Sequence, residues 1–506
     1  MKIRLLSSNL RLLLLLTFFI LDVWAEERRA TFIFTADMPV VGDERKGAYA
    51  RLATLLDEVR AARPETVFLF GGASLGPSTM SGFDRGAHII DVLNSLEPDA
   101  MGVTKREFSY YEDELSLRAY EAGFPMVASN LFDPLIQGTP TGLVDSFLIE
   151  KGSLTIGVVS IVHPSVTDEY PLQRVQITSP REEVNAKAQQ LRSSGAHIIV
   201  LLYSHTSEFV KAQLENGVVD LAFMTDPDLD IRNEGDMWTH PRNISLTQYS
   251  QAAIVTCTLH ENGKEILTTS WDLLNLADYA PDPEVASQTT GYTMRLNRLL
   301  DERIGQLQTT MDTSRKAVRS GENAFANLLT DAIRSFTQTD IALLNGGIIR
   351  AEKQYEVGTF ITRGDIFEEL PFRNKVATLT ISGKAVIQAL ENGLSLLESL
   401  EGRFPHVSGM QVTYDSTLPA GQRVLTVEVD GKPLDPNANY TLATTQYLAN
   451  GGDGYRMFTE SASESLSNKS PPLLSDIVIS RIRKQNQISP VVKNRMTDIS
   501  SGNPSE

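Results

Sequence analysis

The stretch Asp99-Ala-Met-Gly-Val-Thr-Lys-Arg-Glu-Phe-Ser-Tyr110 decides how the first half of this chain is interpreted. Its apolar residues 100–103 predict a short buried strand, and the polar residues after them predict a loop at the strand's C-terminal end. That loop carries two adjacent cations, Lys105 and Arg106. Loops that follow the C-terminal ends of parallel strands form the ligand site in open α/β sheets. We therefore expect both cations to lie in a site.

The surrounding sequence predicts an α/β architecture, because short β-rich runs alternate with helical stretches from residue 30 to about residue 276. The loops expected after other strands carry further polar residues and glycines. These are Asp37, Gly71, Gly72, His205, Asp226 and Asp228.

Composition limits the classes of partner. The chain has 506 residues, which is enough for two or three domains. Its net charge is −17, so its surface repels a phosphate backbone and we expect no nucleic-acid partner. Cys257 is the only cysteine and lies in an apolar, strand-like run. We expect it to be a buried structural residue, and no disulfide can form within one chain.

The N-terminus has the pattern of a secretory signal. Three basic residues precede an apolar run over residues 12–21, and the small-x-small tripeptide Val23-Trp24-Ala25 follows it. We predict a signal peptide over residues 1–25 and secretion across an inner membrane, with the periplasm as the destination. The apolar run is too short for a comfortable span, so we expect no stable membrane anchor.

The second half of the chain changes pattern after two closely spaced prolines, Pro281 and Pro283. We predict a first domain over residues 26–280 and a linker over residues 281–320 that contains a helix over 284–308. Residues 321–493 then alternate helices and strands in an α+β pattern, and residues 494–506 form a polar tail that we expect to be disordered.

Four motifs of this second domain follow one another in the sequence. They are Leu344-Asn-Gly-Gly-Ile-Ile-Arg350, Gly364-Asp-Ile-Phe-Glu-Glu-Leu-Pro-Phe372, Gly402-Arg-Phe-Pro-His-Val-Ser-Gly409 and Tyr447-Leu-Ala-Asn-Gly-Gly-Asp-Gly454. All four resemble motifs of the 5'-nucleotidase C-terminal domain. The stretch that begins at Asp99 is similar to a strand and loop in the metallophosphoesterase half of the same family. The resemblance implies an α/β calcineurin-like metallophosphoesterase-type sandwich followed by an α+β 5'-nucleotidase C-terminal domain.

The resemblance also implies a nucleotide site in the second domain. Aromatic residues on two loops can sandwich a base, since every base presents a π-face. An arginine beside a glycine-rich loop can make a bidentate contact with phosphate. The implied residues are Phe404 and Tyr447 for the base, Asp453 for the ribose hydroxyls, and Asn345 and Arg350 in the glycine-rich loop. The alternative is that the two rings are core residues and the arginine is a structural ion-pair partner.

Two residues depart from the family pattern of this site. Ile348 stands where the family has a third glycine, and a β-branched side chain resists both a positive φ and close approach of a ligand. Arg373 stands where the family has a small residue. It adds either a phosphate contact or a new surface pair.

The first domain departs much further. The family takes seven metal ligands from five loops, and its paired metals activate a water and screen phosphate charge. Here Pro39 replaces a ligand histidine and Ala73 replaces the bridging aspartate. Lys105 stands at a ligand asparagine, Arg106 at the catalytic histidine and Ser109 at the aspartate that orients it.

Asp37 and His205 keep their ligand identities, and Asp226 and Asp228 stand at two further ligand positions. Three arrangements follow from these residues. The three aspartates form ion pairs with Lys105 and Arg106, or the two cations form a metal-free anion pocket, or the aspartates and His205 form a remodelled site for one metal ion. His205 is the only candidate base, and a lone histidine is weak evidence for catalysis.

We expect an exported protein that binds nucleotides or nucleosides through its C-terminal domain, with metal-dependent hydrolysis of phosphate esters lost or strongly reduced. It needs no cofactor. One alternative is an active 5'-nucleotidase of nucleotide catabolism with a remodelled site for one divalent metal ion. The other is a non-catalytic scaffold or partner-binding protein. The sequence identifies no protein partner.

Overall fold

The computed structural model describes residues 28–43, 47–164, 166–169, 172, 174–204, 208–225, 240–261, 265–372, 374–459 and 471–501. The chain divides into two compact units, Met1–Arg295 and Leu296–Glu506. The predicted signal peptide, residues 1–25, lies outside the described residues. No helix in the described part of the chain has both the length and the apolar character needed to cross a membrane.

Two β-sheets form the centre of the N-terminal unit. The first has six strands, in the order Glu265–Asn275, Gln251–Glu261, Arg28–Thr35, Thr66–Phe70, Ala100–Gly102 and Met126–Val127. The second has five, in the order Asn243–Ser245, Leu221–Met224, Ile198–Tyr203, Leu154–Ile161 and Phe147–Lys151. A short pair, Leu131–Phe132 and Gln176–Ile177, lies apart from both.

The two sheets pack face to face. Phe34 of the first sheet and Phe223 of the second have ring centroids 4.9 Å apart. Side chains alternate along each strand, so Phe32 and Phe34 lie in this inner layer whereas Ile33 packs on the opposite face. Helices cover the outer faces of both sheets. The predicted α/β sandwich is therefore confirmed.

The helices of this unit are Tyr49–Ala62, Thr79–Asp84, Ala87–Leu96, Tyr111–Glu121, Val166–Glu169, Pro180–Ser193 and Glu208–Glu215, followed by Pro283–Leu300, in which the division between the units falls. Cys257 is fully buried in its strand, as predicted. Burial raises the pKa of its thiol to about 12.

The C-terminal unit is α+β, as predicted. One four-stranded sheet has the strand order Val376–Ser382, Asn439–Thr445, Ile341–Asn345 and Pro405–Ser408. Another four-stranded sheet has the order Lys432–Pro433, Val424–Val429, Met410–Tyr414 and Met496–Asp498. A three-stranded sheet has the order Phe360–Thr362, Arg303–Leu307 and Gln487–Ile488. A two-stranded sheet pairs Met311–Asp312 with Gln354–Tyr355. Its helices are Arg315–Arg319, Ala324–Thr337, Arg363–Glu369, Gly383–Leu394, Gln446–Ala449 and Leu474–Gln485.

Two predictions for this half need correction. The helix predicted over 284–308 ends at Leu300, because Arg303–Leu307 is a strand that buries Ile304 and Leu307. The predicted disordered tail is ordered at Met496–Asp498, which pairs in parallel with Met410–Tyr414. Burial of the Met496 side chain stabilises that strand.

Candidate functional site

Glu107 ties together two strand-end loops of the N-terminal unit. Its buried carboxylate accepts hydrogen bonds from the backbone amides of Ala73 at 3.0 Å and Ser74 at 2.8 Å. It also accepts from the amide and hydroxyl of Thr104, at 2.9 and 2.8 Å. The sequence places Glu107 in the predicted site loop beside Lys105 and Arg106, but no role was predicted for it, although Thr104-x-x-Glu107 has the spacing of a capping box.

Several residues in or near these loops have a left-handed backbone conformation, with a positive φ. Gly72 has a φ of 86°, and a Cβ there would lie 2.4 Å from the carbonyl oxygen of Gly102. Ala73 and Asp37 also have positive φ values, 60° and 57°. Left-handed residues other than glycine are uncommon, and they persist where the surrounding contacts over-determine them. The hydrogen bonds to Glu107 and the Asp37 N–Gly72 O bond of 3.0 Å supply such contacts.

Asp37 and Arg106 form a buried ion pair in which Nη1 lies 2.7 Å from Oδ1. The Asp37 side chain is 1% exposed and that of Arg106 15%. Lys105 is buried beside Arg106, in the 3₁₀ helix Lys105–Phe108. His205, Asp226 and Asp228 lie outside the described residues, as does Arg373 of the other unit. The structure thus brings together one cation and one carboxylate of the predicted cluster.

Three of the four candidate metal ligands of this region, His205, Asp226 and Asp228, lie outside the described residues. Among the residues that the structure describes, no group of three or more His, Cys, Asp or Glu side chains is placed to hold a metal ion. Pro39 and Ala73 carry no ligand atom in their side chains. The Ser109 hydroxyl donates to the backbone oxygen of Arg106 at 2.7 Å, so it stabilises the loop that carries that arginine.

In the C-terminal unit, three of the predicted site residues meet at Asp453. Its carboxylate accepts a hydrogen bond from Asn345 Nδ2 at 2.6 Å and one from the Tyr447 hydroxyl at 2.8 Å. The Asp453 amide donates to the same phenol oxygen at 3.2 Å. Asp453 has a φ of 51°, and this left-handed turn directs its amide and its carboxylate to one phenol.

Tyr447 presents a fixed aromatic ring. Tyr447 lies in the short helix Gln446–Ala449, whose N-cap residue is Thr445. The residue is 49% exposed. A Cβ added at Gly452 would lie 2.5 Å from the ring, so a larger residue there would displace the ring from this position. Burial is the main cause that raises the pKa of the Tyr447 phenol, and the neighbouring Asp453 raises it further. The phenol therefore stays protonated and keeps its role as donor.

Two glycines, Gly347 and Gly402, pack against each other beside Asp453. The Gly347 amide donates to the Gly402 oxygen at 2.7 Å, and a Cβ at Gly347 would lie 2.9 Å from the Gly402 Cα. A Cβ at Gly402 would in turn lie 3.5 Å from Asp453 Oδ2. Two of the four sequence motifs therefore pack closely against each other next to the Asp453 carboxylate.

Two predicted features of this site are wrong. Phe404 is 1% exposed and packs in the core, with its ring centroid 5.2 Å from that of His406. A ring enclosed on all sides offers no face to a base, so Phe404 and Tyr447 do not form an open clamp. Ile348 also packs in the core and lies in the 3₁₀ helix Gly346–Ile348, so it needs no positive φ. The Ile348 side chain therefore does not block a ligand at the glycine-rich loop, although the sequence had predicted that it would.

Arg350 is exposed, and its Nε donates to the Gly347 oxygen at 2.7 Å. Its guanidinium carbon lies 5.1 Å from the ring centroid of Phe372, which is 48% exposed. Phe372 belongs to one of the four sequence motifs, but no role was predicted for it from the sequence. The exposed aromatic neighbours of the site are thus Tyr447 and Phe372.

Three arginines, Arg315, Arg319 and Arg350, lie together near the glycine-rich loop, and Glu352 and Glu401 offset part of their charge. Arg319 is 6% exposed; its Nη1 donates to the Leu400 oxygen at 3.1 Å, and its Nε has no acceptor among the described residues. Burial is the main cause that lowers the pKa of Arg319, and repulsion from Arg315 and Arg350 lowers it further. None of the three forms an ion pair with a carboxylate of the described residues. Buried charges in proteins are normally paired, so the buried guanidinium of Arg319 is suited to bind an anion.

Comparisons with known proteins agree with this architecture. Residues 303–460 match the family model described as 5'-nucleotidase, C-terminal domain. The snake venom 5'-nucleotidase of Crotalus adamanteus is 24% identical over 500 residues, which cover 90% of this chain and 84% of that protein.

Solved structures show the same fold. The 5'-nucleotidase precursor of Thermus thermophilus aligns with a TM-score of 0.54 at 21% identity, over 94% of this chain and all of that one. A Staphylococcus aureus protein described as a 5'-nucleotidase, in complex with α-ketoglutarate, aligns with a TM-score of 0.66 at 17% identity, over 93% of this chain and all of that one.

Proposed function

Because the chain belongs to the 5'-nucleotidase family, we propose that it binds nucleotides or nucleosides through its C-terminal unit and has lost, or strongly reduced, metal-dependent hydrolysis of phosphate esters. The observation that carries this proposal is the convergence of Asn345 and Tyr447 on the Asp453 carboxylate, beside an exposed aromatic ring. A nucleoside needs both a hydrogen-bond acceptor for its sugar hydroxyls and a flat apolar face for its base.

The site offers each part of a nucleotide a chemically suitable partner. The exposed Tyr447 ring stacks on the base, which contributes about 1–3 kcal/mol for each stacked base. The Asp453 carboxylate retains lone pairs for the ribose hydroxyls. Arg350 and Arg319 supply the positive charge that a phosphate requires. Phe372, rather than Phe404, is the second ring with an exposed surface at this site.

The N-terminal unit supports the proposed loss of hydrolysis. A two-metal mechanism needs carboxylates whose oxygens are available to the cations. The Asp37 Oδ1 instead accepts a charged hydrogen bond from Arg106, and a second buried cation, Lys105, precedes Arg106 in the same 3₁₀ helix. Two fixed positive charges repel a divalent cation at this position. Replacement of the bridging carboxylate by Ala73 removes a further ligand.

An active hydrolase with a remodelled metal site is the second candidate, since relatives of this chain are named as enzymes. Release of phosphate from AMP, with and without Mn²⁺, together with metal analysis of the purified protein, separates the two. Metal-dependent turnover that is lost in Asp228→Ala would establish the second candidate and sink the first.

Binding is tested by calorimetry of adenosine and AMP with the mature chain. Tyr447→Ala removes the stacking ring, so we expect affinity to fall about 5- to 150-fold. Tyr120→Ala is the control, because Tyr120 is similarly exposed but belongs to the N-terminal unit. Equal affinities in wild type and Tyr447→Ala, or the absence of binding in both, would contradict the proposal.

Export is part of the proposal as well, and it rests on the sequence of residues 1–25. N-terminal sequencing of the protein recovered from a periplasmic extract tests it. We expect a mature chain that begins at Glu26. Recovery of the full-length chain in the cytosolic fraction would contradict this part.

A further inference from the structure

Glu369 carries a buried carboxylate at the end of the helix Arg363–Glu369 in the C-terminal unit. The residue is 1% exposed. Its Oε1 accepts hydrogen bonds from the hydroxyls of Thr313 and Tyr355, both at 2.8 Å. Its Oε2 accepts a longer one from the Ala351 amide, at 3.4 Å. Both oxygens of the carboxylate therefore serve as acceptors, and their donors come from separate parts of the chain.

These contacts join the segments that carry the proposed phosphate-binding residues. Thr313 lies two residues before the helix Arg315–Arg319. The Arg350 amide donates to the backbone oxygen of Glu369 at 3.0 Å. Phe372, whose ring centroid lies 5.1 Å from the Arg350 guanidinium carbon, follows Glu369 by three residues. Glu369 is thus the point at which the two arginine-bearing segments and the Phe372 segment meet.

The segment that follows Arg350 depends on these contacts for its conformation. Glu352 has a φ of 53°, which is uncommon for a residue other than glycine. Such a conformation persists where the surrounding contacts over-determine it. The Glu369 carboxylate contacts the residues on either side of this turn, Ala351 and Tyr355. Loss of the carboxylate would therefore release the chain directly after Arg350.

The charge of Glu369 is unfavourable for folding. Burial raises the pKa of its carboxyl, although hydrogen bonds from two hydroxyls oppose that shift. Glu369 forms no ion pair in the described part of the chain, since the nearby Lys353 contacts Glu368 and Asp365 instead. The C-terminal end of a helix also disfavours an anion. An apolar residue at such a position is often neutral or stabilising, so stability alone does not account for a carboxylate here.

We propose that Glu369 is a positioning residue for the phosphate group of a bound nucleotide, an inference that rests on the proposed function. Glu369 does not touch the ligand. Its carboxylate holds the segments that carry Arg350 and Arg319 in the arrangement that binds phosphate. The base and the ribose are bound by Tyr447 and Asp453, so their binding is independent of Glu369.

Calorimetry of AMP and adenosine with Glu369→Leu in the mature chain tests the inference. We expect the affinity for AMP to fall about fivefold or more, because Arg350 and Arg319 lose their fixed positions. The affinity for adenosine, which carries no phosphate, should stay within about twofold of the wild-type value. Glu368→Leu is the matched control, because it removes the same charge from the same helix but alters an exposed side chain. An equal fall in AMP affinity in both variants would overturn the inference, since it would reflect net charge alone.

A double variant guards against a loss of folding. Glu369→Leu leaves the buried Tyr355 hydroxyl without its acceptor, and Tyr355→Phe removes that hydroxyl. The Thr313 hydroxyl can still donate to the Lys353 oxygen, which lies 3.0 Å away. We expect the double variant to unfold at a urea concentration no lower than the wild type does, and to show the same selective loss of AMP affinity.

The outcomes separate this inference from the proposed function. If the wild type binds neither AMP nor adenosine, the proposed function fails and the inference fails with it. If the wild type binds both, and the ratio of the two affinities is unchanged in Glu369→Leu and in the double variant, only the inference is wrong. A loss of stability with equal losses of AMP and adenosine affinity would give Glu369 a purely structural role and would also overturn it.

Discussion

The hydroxyl of Tyr447 donates to the Asp453 carboxylate at 2.8 Å and accepts from the Asp453 amide at 3.2 Å. This paired contact fixes an exposed ring at the edge of the proposed nucleoside site. It also occupies one lone pair of the carboxylate oxygen that a ribose hydroxyl would use. If a ribose binds to Asp453 as proposed, the phenol both orients the ring and competes with the sugar for the carboxylate.

Tyr447→Phe separates these two effects, because it keeps the ring and removes the hydroxyl. We expect adenosine to remain bound and the contribution of its sugar hydroxyls to rise by about 0.5–1.5 kcal/mol, the net value of one hydrogen bond. The measurement compares adenosine with 2',3'-dideoxyadenosine in both proteins. An unchanged difference between the two ligands would show that the phenol does not compete with the sugar.

Phe372→Ala should weaken AMP binding about two- to fivefold, because Arg350 loses a cation–π contact worth about 0.5–1 kcal/mol at an exposed site. Affinity for adenosine, which carries no phosphate, should change less. Phe360→Ala is the matched control, since Arg303 lies 4.5 Å from that ring centroid in a sheet that carries none of the proposed site residues. Equal effects of the two variants on AMP would remove Phe372 from the site.

Glu107→Gln should destabilise the N-terminal unit by about 1.5–3 kcal/mol, the value of a hydrogen bond to a charged group. Both Glu107 oxygens accept from backbone amides, so either orientation of a glutamine places its NH₂ group against an N–H donor. Calorimetric unfolding provides the measurement. Glu121→Gln, on the surface and paired with Arg118, should change stability by less than about 1 kcal/mol. Similar losses in both variants would contradict the role given to Glu107.

His406 makes stability depend on pH. Burial lowers the pKa of this histidine to about 4, and its Nε2 lies 2.9 Å from the Val318 oxygen. Because the folded pKa lies below the unfolded value of about 6.5, the unfolded chain takes up the proton first. Stability is therefore intact above about pH 6.5 and falls as the pH drops toward 4, by on the order of 3 kcal/mol.

His406→Gln removes that titration and should flatten the dependence of unfolding free energy on pH between about 4 and 6.5. The measurement is urea unfolding at a series of pH values. Parallel curves for wild type and variant would show that another group governs the acid limb.

The sequence motifs predicted residues that lie close together in the C-terminal unit, and the nucleotide-binding role of those residues stays a prediction. Asp453, Asn345 and Tyr447 lie in short motifs, and their loops bring them together. Phe404 could not be assigned in this way, since a ring in a motif is equally suited to the core, where it lies. Ile348 was misjudged because the glycine pattern alone does not reveal that its position faces the core.

In the N-terminal unit, the opposite charges of Arg106 and Asp37, on two loops of the predicted site, predicted the ion pair that the structure contains. The role of Glu107 was missed, because a carboxylate that binds backbone amides leaves no partner side chain in the sequence to signal it. The capping-box spacing from Thr104 is the only local sign of it.

A calorimetric titration of AMP into the mature chain in EDTA, repeated with Mn²⁺, tests the central claim most directly. We predict saturable binding in EDTA, an unchanged dissociation constant in Mn²⁺, and no continuing heat of hydrolysis. Binding that requires Mn²⁺, or a steady heat of turnover once Mn²⁺ is present, would contradict the account of a nucleotide-binding protein whose metal chemistry has been lost.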